Sequence, residues 1–418
     1  MLASLRLVSA LVLAVVLSTS SDALHIRRDA APITLPFARR VNATGAAKLL
    51  KIDQARAKTL KSRSMGASAF KQSAVFNVPA SNQAVEYTTT VGVGNPPQTF
   101  NLLIDTGSSN TWVGAQTLSN PFLGSGTTQL TGELVEVTYG SGFVIGQEFM
   151  DDITLGGLTI QNQSFGSALL SEGFDDVDGI LGIGPSDLTC GTLVPDVTEC
   201  IPTVTDNAFN QGLIDAHEIG ISFEPTTSVG NQNGELTFGG IDPTKFNGPL
   251  NFVPITSTSP ANEFVGIDQS ITYDSADGTT VLSATSGITD TGTTLTLLAT
   301  DAFNTYQNLT GAVSDANTGL LRLTPDQFAN LQSLFFKIGD NTLELTPNAQ
   351  IWPRALNTLI GGTSDFVYLI VNDLGSLSGE GLDFIDGMTF LERFYYVFDI
   401  ANSRVGFATT PFTDATTN

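Results

Sequence analysis

The sequence predicts a mainly β protein built as two similar lobes, on three observations. From about Ala74 onward, short stretches rich in Val, Ile, Thr and Phe alternate with clusters of Gly, Asn, Pro and Ser, the pattern of strands punctuated by tight turns. The segment LLIDTGSSNTWV at 102–113 has an echo in SGITDTGTTLTLL at 286–298, with the aspartates Asp105 and Asp290 185 residues apart. Each aspartate is followed, 77 and 97 residues later, by two large apolar residues close to a glycine: GILGIG around Gly182 and FIDG ending at Gly387. Two copies of one pattern imply two copies of one structural unit.

The elements follow in chain order. Residues 1–23, MLASLRLVSALVLAVVLSTSSDA, place Arg6 ahead of an apolar run and finish on small residues, Ser21 and Ala23, the layout of a secretory signal peptide. The run is shorter than the roughly 20 residues a spanning helix needs, and the tail TTPFTDATTN carries no lipid-anchor signal. Residues 24–73 form a basic pro-segment, with ARRVNATGAAKLLKIDQARAKTLKSR at its centre. The N-terminal lobe is expected over 74–245 and the C-terminal lobe over 246–418. Strand-like runs include EYTTTVGVGNPPQTFNLLI, LVEVTYGSGFVIGQEF, GELTFGGIDPTKF and FYYVFDIANSRVGFA. Helical patterns are short, VTDNAFNQGL and TPDQFANLQSLF, the second capped by Thr324.

Charge is divided between the parts. Residues 1–72 hold 12 of the 18 Lys and Arg and three acidic residues, a net of +9; the remainder holds 6 basic and 38 acidic residues, a net of −32. A basic segment behind a secretion signal fits a cleaved partner docked on an acidic surface, held near neutral pH and released as carboxylates protonate. The acidic remainder argues against nucleic acid and against an anionic membrane surface. It also points to a low working pH, where self-repulsion fades. The only cysteines, Cys190 and Cys200, are expected to pair in an oxidising compartment. Two thiols without histidine partners make no structural zinc site. The only histidines are His25 and His217, so no metal or other cofactor is expected and a Ser-His-Asp triad would rest on His217 alone. Asn162 and Asn308 head sequons that permit N-glycosylation, as does Asn42 in the pro-segment.

One Asp-Thr-Gly is commonly just a turn. Two copies, each behind an apolar strand and each followed by paired hydroxyl residues, indicate two buried carboxylates held by neighbouring donors. Two carboxylates in proximity share a proton and their apparent pKa values separate. Such a pair can activate water as base and protonate a carbonyl as acid, which hydrolyses an amide without histidine, cysteine or metal.

These paired motifs, together with VTYGSG and SSNTWVG, resemble the pepsin-like aspartic proteases of peptidase family A1, and most closely the fungal polyporopepsin group, from about Val78 to Phe407. The resemblance implies a bilobed fold of two β-barrel-like lobes with a cleft between them. It implies Asp105 and Asp290 as the catalytic pair, supported by Thr106, Gly107, Ser108, Thr291, Gly292 and Thr293. Tyr139, Gly140 and Ser141 match the flap over the substrate, and Trp112 matches the tryptophan that meets the flap tyrosine. Leu103, Val177 and Ile180 match the first apolar subsite. The basic segment matches an inhibitory propeptide, with Lys58, Lys61 or Lys71 capping the aspartates. The expected partners are protein or peptide substrates, the chain's own propeptide and pepstatin-like inhibitors. A secreted, extracellular monomer is expected, with a vacuolar location as the alternative.

Three departures stand out. Asp386 occupies a position where the wider family has an apolar residue, and either adds a third carboxylate near the active region or faces solvent. Val177 replaces a frequent aromatic, and the Cys190–Cys200 pairing would staple an insertion after GILGIG. The rival readings are a catalytically inactive binding protein of the same fold and a glycosidase, which also uses two carboxylates.

Overall fold

The computed structural model describes residues 32–41, 49–63, 85–140, 142–174, 176–228 and 232–418. Residues 1–23, expected to form a signal peptide, lie outside them, as do Lys71, Asn42 and Ser141. The architecture is mainly β and bilobed, with helices few and short outside the pro-segment.

The two copies of the sequence motif fold alike. Strand Gln98–Asp105 runs parallel to Gly179–Gly182, with Asp105 opposite Gly182. Strand Thr279–Asp290 runs parallel to Phe384–Gly387, with Asp290 opposite Gly387. The short strands that follow, Thr111–Val113 and Thr296–Leu298, return antiparallel to those same partners. Because these strands are covered on both faces, they read as near-continuous apolar runs instead of alternating ones. The glycine beside each apolar pair permits the crossing. A Cβ on Gly182 would lie 2.5 Å from the carbonyl carbon of Ser109, and one on Gly387 would lie 2.7 Å from the carbonyl oxygen of Thr293. No larger residue fits where the chain after each aspartate passes this close.

A large sheet joins the halves. Its order runs from Asn247–Pro254 through Arg404–Thr409, Phe394–Asp399, Glu218–Ser222 and Gln232–Phe238 to Ile33–Val41, and continues into Val85–Val93 and Gln98–Asp105. The basic N-terminal segment therefore contributes a strand, Ile33–Val41, between Gln232–Phe238 and Val85–Val93. A second, seven-stranded sheet carries Gly266–Tyr273, Thr279–Asp290 and Phe384–Gly387.

The basic helix Leu49–Arg63 is rich in strong helix formers. Leu49, Asp53, Arg56, Ala57 and Leu60 recur on one face and are buried, whereas Lys51 and Lys58 are exposed. Of the two expected helices, Val204–Asn210 forms under a Thr203–Asp206 capping box. The second shrinks to Pro325–Phe328, capped by Thr324 as expected. Its apolar continuation, Leu334–Ile338, is drawn into the sheet beside Gly266–Tyr273, an instance of tertiary pairing overriding local pattern.

Cys190 and Cys200 are bonded. By the chain-entropy estimate, closing a loop of this length is worth about 2–3 kcal/mol. Thr189 reinforces it, its hydroxyl donating to the Ile201 carbonyl at 3.0 Å and accepting the Ile201 N–H at 2.6 Å.

Candidate active site

Asp105 and Asp290 end the two central strands and are fully buried. Each carboxylate is fixed by its own turn. The Gly107 N–H donates to Asp105 Oδ1 at 2.9 Å and Ser108 Oγ donates to Oδ2 at 2.5 Å. The Gly292 N–H donates to Asp290 Oδ1 at 3.0 Å and Thr293 Oγ1 donates to Oδ2 at 2.6 Å. The loops are locked reciprocally: Thr106 N–H donates to Thr291 Oγ1, and Thr291 N–H to Thr106 Oγ1, each at 3.0 Å. Thr291 Oγ1 donates onward to the Ile104 carbonyl at 3.0 Å. A buried carboxylate is tolerated only with such donors, and here each outer oxygen takes a hydroxyl while each inner oxygen takes a backbone amide.

A single group spans the inner oxygens, and it is Arg56 of helix Leu49–Arg63. Its Nη2 bonds Asp105 Oδ1 and, at 2.9 Å, Asp290 Oδ1, while Nε reaches Asp290 Oδ2 at 2.6 Å. The expectation of a capping lysine is thereby corrected. Lys58 is exposed, Lys61 turns to Ser376 and Glu380, and Lys71 falls outside the described residues. The planar guanidinium presents several donors in one fork and can serve two carboxylates at once, which an ammonium does less well. Burial pushes the Asp290 carboxyl up, but the charge and hydrogen bonds of Arg56, with those of Thr293 and Gly292, hold it below the ordinary carboxylate value.

One helical turn before Arg56, the Asp53 carboxylate accepts the Leu295 N–H at 2.8 Å and the Thr294 N–H at 3.3 Å. Burial pushes Asp53 up to about 7 against those bonds and the charge of Arg56. Neither residue was singled out from sequence. The signal was present as D-x-x-R on the face shared with Leu49, Ala57 and Leu60, which places both side chains on one side of the helix.

The hairpin from Gln129–Thr138 to Phe143–Leu155 turns at Tyr139, whose N–H donates to the Gly142 carbonyl at 2.7 Å. Trp112 Nε1 donates to the Tyr139 hydroxyl at 2.9 Å. Leu103, Val177 and Ile180 join Trp112 and Tyr139 in one apolar cluster. Phe174, which sequence reasoning missed, packs edge-on against both Trp112 and Tyr139, with ring centroids 5.0 and 5.3 Å away. Gly140 lies directly on the Arg56 backbone and leaves no room for a side chain, so the hairpin is closed against helix Leu49–Arg63.

Other expected residues are placed elsewhere. Asp386 does not face solvent: it is fully buried one residue before the glycine opposite Asp290 and accepts a hydrogen bond from Gln269. His217 bonds Asp206, the capping residue of a helix, at 2.7 Å and stacks on Phe209. Asn162, at a positive-φ position within strand Leu158–Glu172, and Asn308, on a helix, are both exposed. No helix among the described residues is long and apolar enough to cross a membrane.

With this geometry in hand, comparison with known proteins is informative. The family model described as eukaryotic aspartyl protease matches residues 86–410. Polyporopepsin of Irpex lacteus is 60% identical over 345 residues, covering 82% of this chain and 100% of that protein. Pepsin A of Rhinolophus ferrumequinum is 33% identical over 342 residues, 78% of this chain and 81% of that one. Among solved structures, the aspartic proteinase from Irpex lacteus superposes with a TM-score of 0.77 at 60% identity, covering 80% of this chain and 96% of its own.

Proposed function

The chain belongs to the pepsin-like aspartic protease family, and from that premise we propose a secreted endopeptidase, made as a zymogen, that cleaves peptide bonds in acid through a water held between Asp105 and Asp290. One observation carries the reading. The two buried carboxylates come from opposite lobes, and their inner oxygens lie so close that a single guanidinium nitrogen bonds both.

Once the segment that includes Arg56 leaves, a water takes the place of its nitrogen. The ionised carboxyl accepts a proton from that water as its oxygen attacks the substrate carbonyl carbon, and the protonated carboxyl donates to the carbonyl oxygen. The tetrahedral intermediate collapses with cleavage of the C–N bond and protonation of the departing amine. Ser108, Thr293 and the two glycine amides hold the carboxyl groups in place, so the site does not reorganise during reaction. The flap residues Tyr139 and Gly140 cover an extended peptide, and the cluster of Leu103, Val177 and Ile180 favours an apolar side chain beside the cut.

Both copies of the motif lie in one chain, so a monomer is sufficient. Secretion is supported by the leader at 1–23, and inhibition by the pro-segment is supported by Arg56. A catalytically silent member of the fold would be expected to lack an aspartate or the flap tyrosine, and this chain has all three.

Acidification of the purified protein to about pH 4 is expected to release the pro-segment and yield a casein-degrading activity that pepstatin abolishes. Activated protein that leaves casein and a peptide library intact would favour the silent reading.

A further inference from the structure

Asp386 is a buried titratable group that the mechanism above does not use. It sits in strand Phe384–Gly387, directly before the glycine opposite Asp290, with Thr289 across from it on the parallel strand and Thr296 on the antiparallel one. Its side chain is fully buried, and Gln269 Nε2 donates to its Oδ1 at 3.2 Å. The other atoms of the two side chains, Asp386 Oδ2 and Gln269 Oε1, have no partner among the described residues. As drawn with an ionised carboxylate, both are acceptors and neither can serve the other. A proton on Oδ2 removes the conflict, because the acid then donates to Oε1 while accepting from Nε2, a reciprocal pair that satisfies both groups.

We propose that Asp386 is a positioning residue for Asp290: it is kept as the neutral acid paired with the Gln269 carboxamide, and loss of its proton loosens the strand pairing beneath the Asp290 loop, setting the alkaline limit of the active conformation.

No charged neighbour compensates an ionised Asp386. On the strand of Gln269 the titratable groups are Asp268, bonded to Thr256 and Ser286, and Tyr273. The strand opposite carries Asp290, bonded to its own loop, and Thr296–Leu298 carries none. Asp383, ahead of Asp386, is bonded to Thr285 and to backbone amides. Past the helix Met388–Leu391, Glu392 accepts from Tyr87, and Arg393 donates to the Phe412 and Ala415 carbonyls. Burial accordingly pushes Asp386 up to about 8. A folded-state value raised above the unfolded one favours the fold at low pH. The advantage is lost as pH rises from the ordinary carboxylate value towards about 8, by roughly tenfold in the folded-to-unfolded ratio per pH unit.

The Asp386→Asn chain tests this, because an amide can make the same two reciprocal bonds and carries no proton to lose. Urea unfolding of the full chain is expected to show wild type losing stability with one more proton's worth of pH dependence than the variant between about pH 5 and 7. This readout does not depend on the peptidase reading. After a spell at about pH 7.5 and return to acid, activated variant is expected to retain at least about tenfold more activity than wild type. Its activity on continuous exposure to acid should match wild type within about twofold. Equal pH slopes for the two chains would overturn the proposal. So would failure of the Asp386→Asn chain to fold in acid, where the neutral isostere should be equivalent. Absence of all proteolysis, with the slope difference intact, would instead count against the peptidase reading alone.

Discussion

Replacing Asp105 or Asp290 with Asn is expected to abolish peptide cleavage, lowering kcat by roughly 10²–10⁴-fold or more, while leaving a folded chain. Asn keeps nearly the same volume, and its one carbonyl oxygen can accept the Gly107 or Gly292 N–H while its NH2 donates to the Ser108 or Thr293 hydroxyl, so each loop stays closed. What disappears is the capacity to exchange a proton with water, and neither carboxyl can substitute for the other because the proposed reaction uses one as base and one as acid. The two therefore act as a unit, and the double variant should be no worse than either single one. Single-turnover cleavage of one defined peptide, with thermal unfolding as the control for folding, measures this. Asn variants that retain cleavage within tenfold of wild type would place the chemistry elsewhere.

The second large effect concerns Arg56. Removing one partner of a buried, hydrogen-bonded ion pair costs about 3–5 kcal/mol, which weakens docking of the pro-segment by two to three and a half orders of magnitude. The Arg56→Gln chain is expected to become active on acidification with a shorter lag than wild type, and Arg56→Lys to fall between them. The pH dependence has a definite origin. Asp290 is held below its ordinary value while Arg56 is docked, so this contact stabilises docking above that ordinary value and is lost as pH falls through the lowered one. Asp53 runs the other way: raised by burial to about 7, it becomes neutral below that value and docks more readily. Asp290 therefore favours release in acid, and Asp53 opposes it. Equal lags for wild type and Arg56→Gln, followed by stopped-flow fluorogenic cleavage, would remove Arg56 from this role.

The active region was legible from sequence because the chemistry is duplicated. Asp105 and Asp290 could be paired from the repeat, and the resemblance pointed to Trp112, Tyr139, Leu103, Val177 and Ile180, which the fold gathers into one cluster. Arg56 was not legible, because a segment rich in Lys and Arg offers several candidates and only the docked helix selects the one that faces inward. Asp386 showed as a departure, but its burial depends on Gln269, 117 residues earlier in the chain, a pairing that no local pattern announces. Leu334–Ile338 follows the same logic, with a helical pattern lost to a strand neighbour remote in sequence.

Titration of the acid-activated protein with pepstatin tests most directly whether one chain assembles one complete site from its two halves. Activity should fall linearly to zero at one inhibitor per chain, and the Asp105→Asn and Asp290→Asn proteins should each lose tight binding. An end point at one inhibitor per two chains, or tight binding that survives loss of either carboxylate, would contradict it.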